Sequence, residues 1–154
     1  MVFDVGGTIV DERRVIGVWA ERLGVGVEEF FATLGAVIER RSHHRTLFET
    51  LRPGFVLDQD DRLYYDERDL FEDTRPCLEQ LRAAGYTLAV AANQPAWTEG
   101  FLAGLDLPLD LITTSEGWGV EKPDPAFYDR LVAELGHDAS EIAYVGDRVD
   151  NDVV

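Results

Sequence analysis

A doubly wound parallel α/β sheet with an α-helical insertion after its first strand is the fold class this sequence predicts, on three observations. The chain opens on Val2-Phe3-Asp4-Val5, an apolar run without alternation that breaks at Gly6-Gly7-Thr8. Such a run suits an inner parallel strand buried on both faces. From about Arg14 to Phe71 the spacing becomes helical, and from Asp73 onward strand and helix patterns alternate. That alternation builds parallel sheets through right-handed crossovers.

Within the insertion, Phe30, Leu34, Val37 and Ile38 recur at i, i+4, i+7 and i+8 and form one apolar stripe. A second amphipathic piece carries Leu47, Phe48 and Leu51 and ends at Pro53-Gly54. Residues 58–73, rich in acids and tyrosines, read as a solvated loop with a short helix. Asp73 or Thr74 can cap the next helix, with Pro76 in its first turn and Gly85 at its end. A strand over 87–91 follows, and then the loop 92–95 opens a helix running to about Leu105. Residues 109–113 read as a further strand. Asp124-Pro125 starts a helix whose Phe127, Leu131 and Leu135 face the core, stopped by Gly136. A last strand over 141–145 ends in Gly146-Asp147. The expected division is a core of 1–10 and 73–154 and a helical cap of 11–72.

Composition narrows the function. The 154 residues hold 30 Asp and Glu against 14 Lys and Arg, a formal net charge of −16. Nucleic-acid affinity comes from cations that displace counterions, so nucleic acid is excluded as a partner, and an anionic membrane surface with it. No apolar run approaches the roughly 20 residues a membrane helix needs. The chain enters directly at Met1-Val2-Phe3-Asp4 with no basic-then-apolar leader, and its single cysteine, Cys77, suits a reducing compartment. Cytoplasm is the expected location. Thirteen of the basic residues are arginine, and the only lysine is Lys122. A lysine kept against that bias points to a place that wants a compact point charge.

Three segments can carry chemistry. In Asp4-Val5-Gly6-Gly7-Thr8 a carboxylate, backbone amides and a hydroxyl share one turn, a combination able to attack phosphorus and bind its oxygens. Lys122, in Val120-Glu121-Lys122-Pro123-Asp124-Pro125, can neutralise a bound phosphate just before a helix. Gly146-Asp147-Arg148-Val149-Asp150-Asn151-Asp152 clusters acids at a strand end, as a Mg²⁺ site does. Taken singly, each could be a turn, a surface lysine or a solvated acidic loop. The topology brings the loops 4–8, 92–93, around Lys122 and 147–152 to the carboxyl end of one sheet, where such folds bind ligands.

In these motifs, in their order and in the helical segment between them, the chain resembles the haloacid dehalogenase superfamily along essentially its whole length. The resemblance implies a Rossmann-like core and a cap inserted after the first motif. It makes Asp4 the nucleophile, with Lys122 as its catalytic partner. Thr8, Ala92, Asn93 and Lys122 would bind the transferring group. Asp4, the carbonyl of Gly6, Asp147 and Asp152 would hold Mg²⁺.

Two positions depart from the pattern of the superfamily's phosphatases. Gly6 stands where most carry a second aspartate as general acid and base, help worth about 10² to 10⁴ in rate. Ala92 stands where Ser or Thr is usual, keeping the backbone N–H and losing the hydroxyl. Relatives that cleave phosphonates use a cap lysine, which this cap lacks; dehalogenases need no metal and do not keep the acid at Asp147. The expectation is therefore Mg²⁺-dependent hydrolysis of a small phosphorylated molecule through an aspartyl phosphate. An acyl phosphate or anhydride fits the lost acid better than a sugar phosphate. A catalytically reduced binding module is the alternative, and a 2-haloacid dehalogenase comes third. The basic patch of Arg40, Arg41, His43, His44 and Arg45 reads as a solvated helix face, and Trp19, Trp97 and Trp118 as packing residues. Family members continue past the fourth motif, so a fragment or the ordered part of a longer protein is expected. Substrate identity and oligomeric state are not legible.

Overall fold

The computed structural model describes residues 1–40, 42, 46–55 and 65–152, and the chain divides into two compact units, 1–11 with 65–154, and 12–64. In the first unit a parallel four-stranded sheet has the order β3-β2-β1-β4, with β1 at Val2–Phe3, β2 at Ala89–Ala92, β3 at Leu111–Thr114 and β4 at Tyr144–Val145. The second unit consists of helices α1 (Arg13–Leu23), α2 (Val27–Glu39) and α3 (Thr46–Leu51). Helices α4 (Thr74–Ala83), α5 (Trp97–Gly104), α6 (Ser115–Trp118), α7 (Pro125–Leu135) and α8 (Val149–Asp152) belong to the sheet-bearing unit.

The sheet's register positions the functional loops. Val2 pairs with Ala89 on one side and Tyr144 on the other, and Phe3 pairs with Val90 and Val145. The chain therefore leaves β1, β2 and β4 at the same edge, carrying Asp4, Asn93 and Asp147 with it. Small residues make this centre possible. Ala89 and Ala91 point to one face of β2 and, with Val2, pack against Phe127 and Leu131 of α7. Phe127 is fully buried, and burying such a side chain is worth about 1.5–3 kcal/mol.

Helix α7 follows its sequence signals closely. The Asp124 side chain accepts a hydrogen bond from the N–H of Ala126, Pro125 opens the helix, and Gly136 ends it at φ 65°. At α4 the outcome differs from the expected cap. Asp73 precedes the helix in a helical conformation without a capping bond from its side chain. The Thr74 hydroxyl instead donates to the Ile9 carbonyl at 2.9 Å, tying the helix start to the segment after β1.

Strand β4 is shorter than the expected 141–145. Residues Ala139–Glu141 form a 3-10 turn, held as the Glu141 carboxylate accepts from the Asp138 N–H. The four-residue helix α6 was not expected; the Thr114 hydroxyl caps it by accepting from Gly117 N–H.

The segment 65–72, expected to go with the insertion, groups instead with the sheet. Leu70 bridges Val10, Asp11 N–H donates to Asp69 O, and Phe71 N–H donates to Ile9 O. Tyr65 packs on Trp97 and Phe101. Residues 67–69 form a short 3-10 helix, while 58–64 of the expected loop lie outside the described residues.

In the helical unit, Ile16, Ala20, Leu23, Phe30, Val37 and Leu47 form the buried cluster, with Leu34, Phe48 and Leu51 packed on it. Trp19 meets Phe48 and Phe55 edge-on. Arg22 and Arg52 lie over the Trp19 and Phe55 rings at 5.3 and 5.9 Å. Of the expected basic patch, Arg40 is exposed at the end of α2; Arg41, His43, His44 and Arg45 lie outside the described residues.

Candidate active site

Four charged side chains meet at the carboxyl edge of the sheet. Asp4 follows β1, and its N–H donates to the Val145 carbonyl at 2.8 Å, which sets the ends of β1 and β4 side by side. Lys122 comes from the loop before α7 and is 2% exposed. Its ammonium sits 3.2 Å from Asp4 Oδ1 and 2.5 Å from Asp152 Oδ1. Asp4, Asp147 and Asp152 each bring a carboxylate oxygen within 4.8 Å of the others.

Glycines let the acids approach so closely. A β-carbon on Gly7 would lie 2.4 Å from Asp147 Oδ2, and Gly7 also holds φ at +67°. A β-carbon on Gly146 would lie 2.2 Å from Asp152 Oδ2. Asp152 is held in that position by the N–H of Arg148, which donates to its Oδ2 at 2.9 Å. The Arg148 guanidinium is itself engaged by Asp150, at 3.1 and 2.6 Å.

Lys122 is fixed by its backbone as well. The Asn93 side chain donates to the Lys122 carbonyl and accepts from the Lys122 N–H, both at 2.8 Å. Asn93 thus ties the end of β2 to the lysine loop, and its side-chain amide is committed there. Ala92 ends β2, fully buried. Among the described residues the Thr8 hydroxyl, like that of Thr98, is buried with no hydrogen-bond partner. An orphaned buried hydroxyl is uncommon and points to a ligand atom that would complete it. Gly6 lies in the turn after β1, bridged to Val10, and brings no side chain to the site.

The electrostatics follow from three acids facing one cation. Burial pushes the Asp4 carboxyl above the usual carboxylate range; Lys122 opposes this and Asp152 adds to it. Asp147, though its side chain is exposed, is also raised, by partial desolvation of the carboxyl first, with Asp152 contributing. A group of hard oxygen donors with surplus negative charge matches a divalent cation such as Mg²⁺.

Two tyrosines at the site escaped the sequence reading. Tyr144 accepts from the Lys122 ammonium at 2.6 Å and donates to the Ala91 carbonyl at 2.6 Å. Tyr128 donates to the Asn151 carbonyl, and burial, with Asp152 and Asp4 nearby, pushes its phenol up to about 12. The available signal was slight: a phenol inside an apolar strand or helix face needs a polar partner. Trp118, by contrast, packs on Phe127 under the Arg130 guanidinium.

This geometry agrees with the similarities to known proteins. The family model for haloacid dehalogenase-like hydrolases matches residues 1–154. The chain belongs to that family. It is 30% identical over 141 residues to a glyceraldehyde 3-phosphate phosphatase of Methanopyrus kandleri, covering 82% of this chain and 60% of that protein. It is 34% identical over 110 residues to a ribulose-1,5-bisphosphate 5-phosphatase of Halopiger xanaduensis, covering 66% and 45%. The chain thus spans about half the length of these two relatives. Among solved structures it resembles a haloacid dehalogenase-family phosphatase from Thermococcus onnurineus, with a TM-score of 0.61, 27% identity, and coverage of 99% and 78%. Among the described residues, no helix is long and apolar enough to cross a membrane.

Proposed function

We propose that this chain hydrolyses a small phosphorylated molecule with Asp4 as nucleophile. The observation that carries the reading is the Asp4 carboxylate held 3.2 Å from a buried lysine, beside two further acids. The phosphatases named above among its relatives support the substrate class.

In the proposed reaction an Asp4 oxygen attacks phosphorus, and the bond from phosphorus to the leaving oxygen breaks. Water then attacks the same phosphorus, releasing phosphate and restoring the carboxylate. Lys122 favours the ionised form of Asp4 against the effect of burial. Thr8 Oγ1, without a partner among the described residues, would donate to a phosphoryl oxygen. The backbone N–H groups of Ala92 and Asn93 would assist, since the Asn93 side chain is committed to Lys122. Asp4, Asp147 and Asp152, with the Gly6 carbonyl, would hold Mg²⁺. The metal would spread the negative charge that develops on the phosphoryl oxygens. The helical unit would serve as the family's cap and select the substrate.

Gly6 brings no acid to protonate a leaving group, so a leaving group stable as an anion is favoured. Acyl phosphates and phosphoanhydrides meet that requirement. The missing acid is also what favours the second reading, a binding module with residual chemistry.

Hydrolysis of acetyl phosphate and p-nitrophenyl phosphate, with and without Mg²⁺, tests this beside Asp4→Asn. Turnover is expected to require both Mg²⁺ and Asp4, to prefer the acyl phosphate, and to fall at least about a thousandfold in the variant. Wild type and variant indistinguishable on both substrates would establish the binding reading instead. Metal-independent halide release from 2-haloacids would turn the assignment to a dehalogenase.

A further inference from the structure

The Lys122 ammonium has three protons and three close partners: Asp4, Asp152 and the Tyr144 hydroxyl. The partners are not equivalent. Asp152 at 2.5 Å is nearer than Asp4 at 3.2 Å, so the two carboxylates alone would draw the ammonium towards Asp152. The third contact ties the ammonium to a fixed point, the Tyr144 hydroxyl at 2.6 Å. Tyr144 has one hydroxyl proton, and it goes to the Ala91 carbonyl at 2.6 Å. Its lone pair is then left to face Lys122, and the tyrosine can only accept from it. Ala91 lies within β2 and is fully buried, so the anchor is a rigid backbone atom. The Tyr144 ring adds a face 4.8 Å from the ammonium. Burial, reinforced by Asp4 and Asp152, raises the phenol far enough that it keeps its proton at any physiological pH.

We propose that Tyr144 is a positioning residue: its hydroxyl, braced on Ala91, holds the Lys122 ammonium within reach of Asp4 against the pull of Asp152. The effect on turnover rests on the reading of Asp4 as a phosphoryl-accepting nucleophile; the effect on Lys122 does not.

The lone lysine supplies a probe. Protein labelled with [¹⁵N]lysine gives a single ammonium resonance, which belongs to Lys122. In the wild-type chain that resonance is expected to be observable at neutral pH, its protons protected from solvent by the three contacts. Tyr144→Phe keeps the ring and its packing. It is expected to speed ammonium proton exchange at least about tenfold and to lower kcat on acetyl phosphate about tenfold, with KM changed less than about twofold. Tyr128→Phe is the comparison, because its hydroxyl goes to the Asn151 carbonyl; it should leave the Lys122 resonance protected.

A wild-type ammonium that exchanges like free lysine overturns the proposal, and this measurement stands even if Tyr144→Phe does not fold. A folded Tyr144→Phe with exchange unchanged, or with kcat unchanged where turnover requires Asp4, also overturns it. If Tyr144→Phe loosens the ammonium while Asp4→Asn matches wild type, the phosphatase reading fails and the anchoring of Lys122 survives. If turnover needs Asp4 but ignores Tyr144, only the positioning role fails.

Discussion

Among the described residues of the helical unit the buried side chains are all apolar: Val15, Ile16, Ala20, Leu23, Phe30, Val37 and Leu47. The sheet-bearing unit buries Asp69, Thr74, Thr98, Thr113, Thr114 and Lys122 among its apolar residues. The first pattern needs only hydrophobic transfer and ring packing, and Arg22 and Arg52 lie over aromatic faces. The second commits the fold to pairing its buried charges, because an unpaired charge in low dielectric costs far more than a lost contact; among the described residues the Thr8 and Thr98 hydroxyls are buried without a partner. Chemistry follows that commitment. The acids and the lysine lie where parallel strands end together, in loops whose backbone is fixed by bonds such as those between Asn93 and Lys122.

Removing the lysine should expose the contrast most strongly. Lys122→Met leaves Asp152 and Asp4 without their cation, and is expected to cost about 3–5 kcal/mol in urea unfolding as well as to abolish Mg²⁺-dependent turnover. A variant as stable as wild type would show that the acids find another partner. Phe30→Ala should cost about 3 kcal/mol by the same assay while leaving the lysine ammonium resonance in place. A shift of that resonance would mean the two kinds of core are coupled.

Smaller effects sharpen the picture. Gly146→Ala puts a β-carbon against the Asp152 carboxylate, and the displaced acid should cost about 1–3 kcal/mol. Calorimetry would also find weaker Mg²⁺ binding, whereas unchanged affinity would remove Asp152 from the metal set.

The smallest effect concerns pH. The folded Asp147 carboxyl lies above its unfolded value, so the native state binds that proton more tightly. Its contribution to stability is therefore lost as pH rises from about 4 through the raised folded value. In EDTA, the melting temperature of Asp147→Asn should gain slightly on wild type between pH 4 and 7, the effect being small because the Asp147 side chain is exposed and screened by solvent. Mg²⁺ should stabilise wild type and not the variant. A melting-temperature difference independent of pH would count against the raised carboxyl.

Legibility in the sequence depended on range. Signals within a few residues read well: the Asp124-Pro125 start and Gly136 stop of α7, and its Phe127 and Leu131 core face, are the ones observed. Short-range competition blurred others. The Thr74 hydroxyl could cap α4 or bond elsewhere, and a carbonyl in the segment after β1 claimed it. Strand β4 shortened because the Asp138–Glu141 turn takes the backbone first. At the site, Asp4, Lys122, Asp147 and Asp152 stood out by type and spacing, whereas Tyr144 and Tyr128 did not. Their partners lie 53 and 23 residues away in the chain, and nothing local distinguishes them from packing residues.

By itself the sequence determined the order of the four strands and of the longer helices of the sheet-bearing unit, the three polar motifs and the surplus of acid, because each is a property of neighbours along the chain. Only the tertiary structure decided that Asn93 serves the lysine loop and that Tyr144 braces the ammonium. Folding also left the Thr8 hydroxyl buried without a partner among the described residues and joined 65–72 to the sheet. Those outcomes depend on which groups arrive together when four parallel strands end at one edge, and burial then decides which polar atoms must pair.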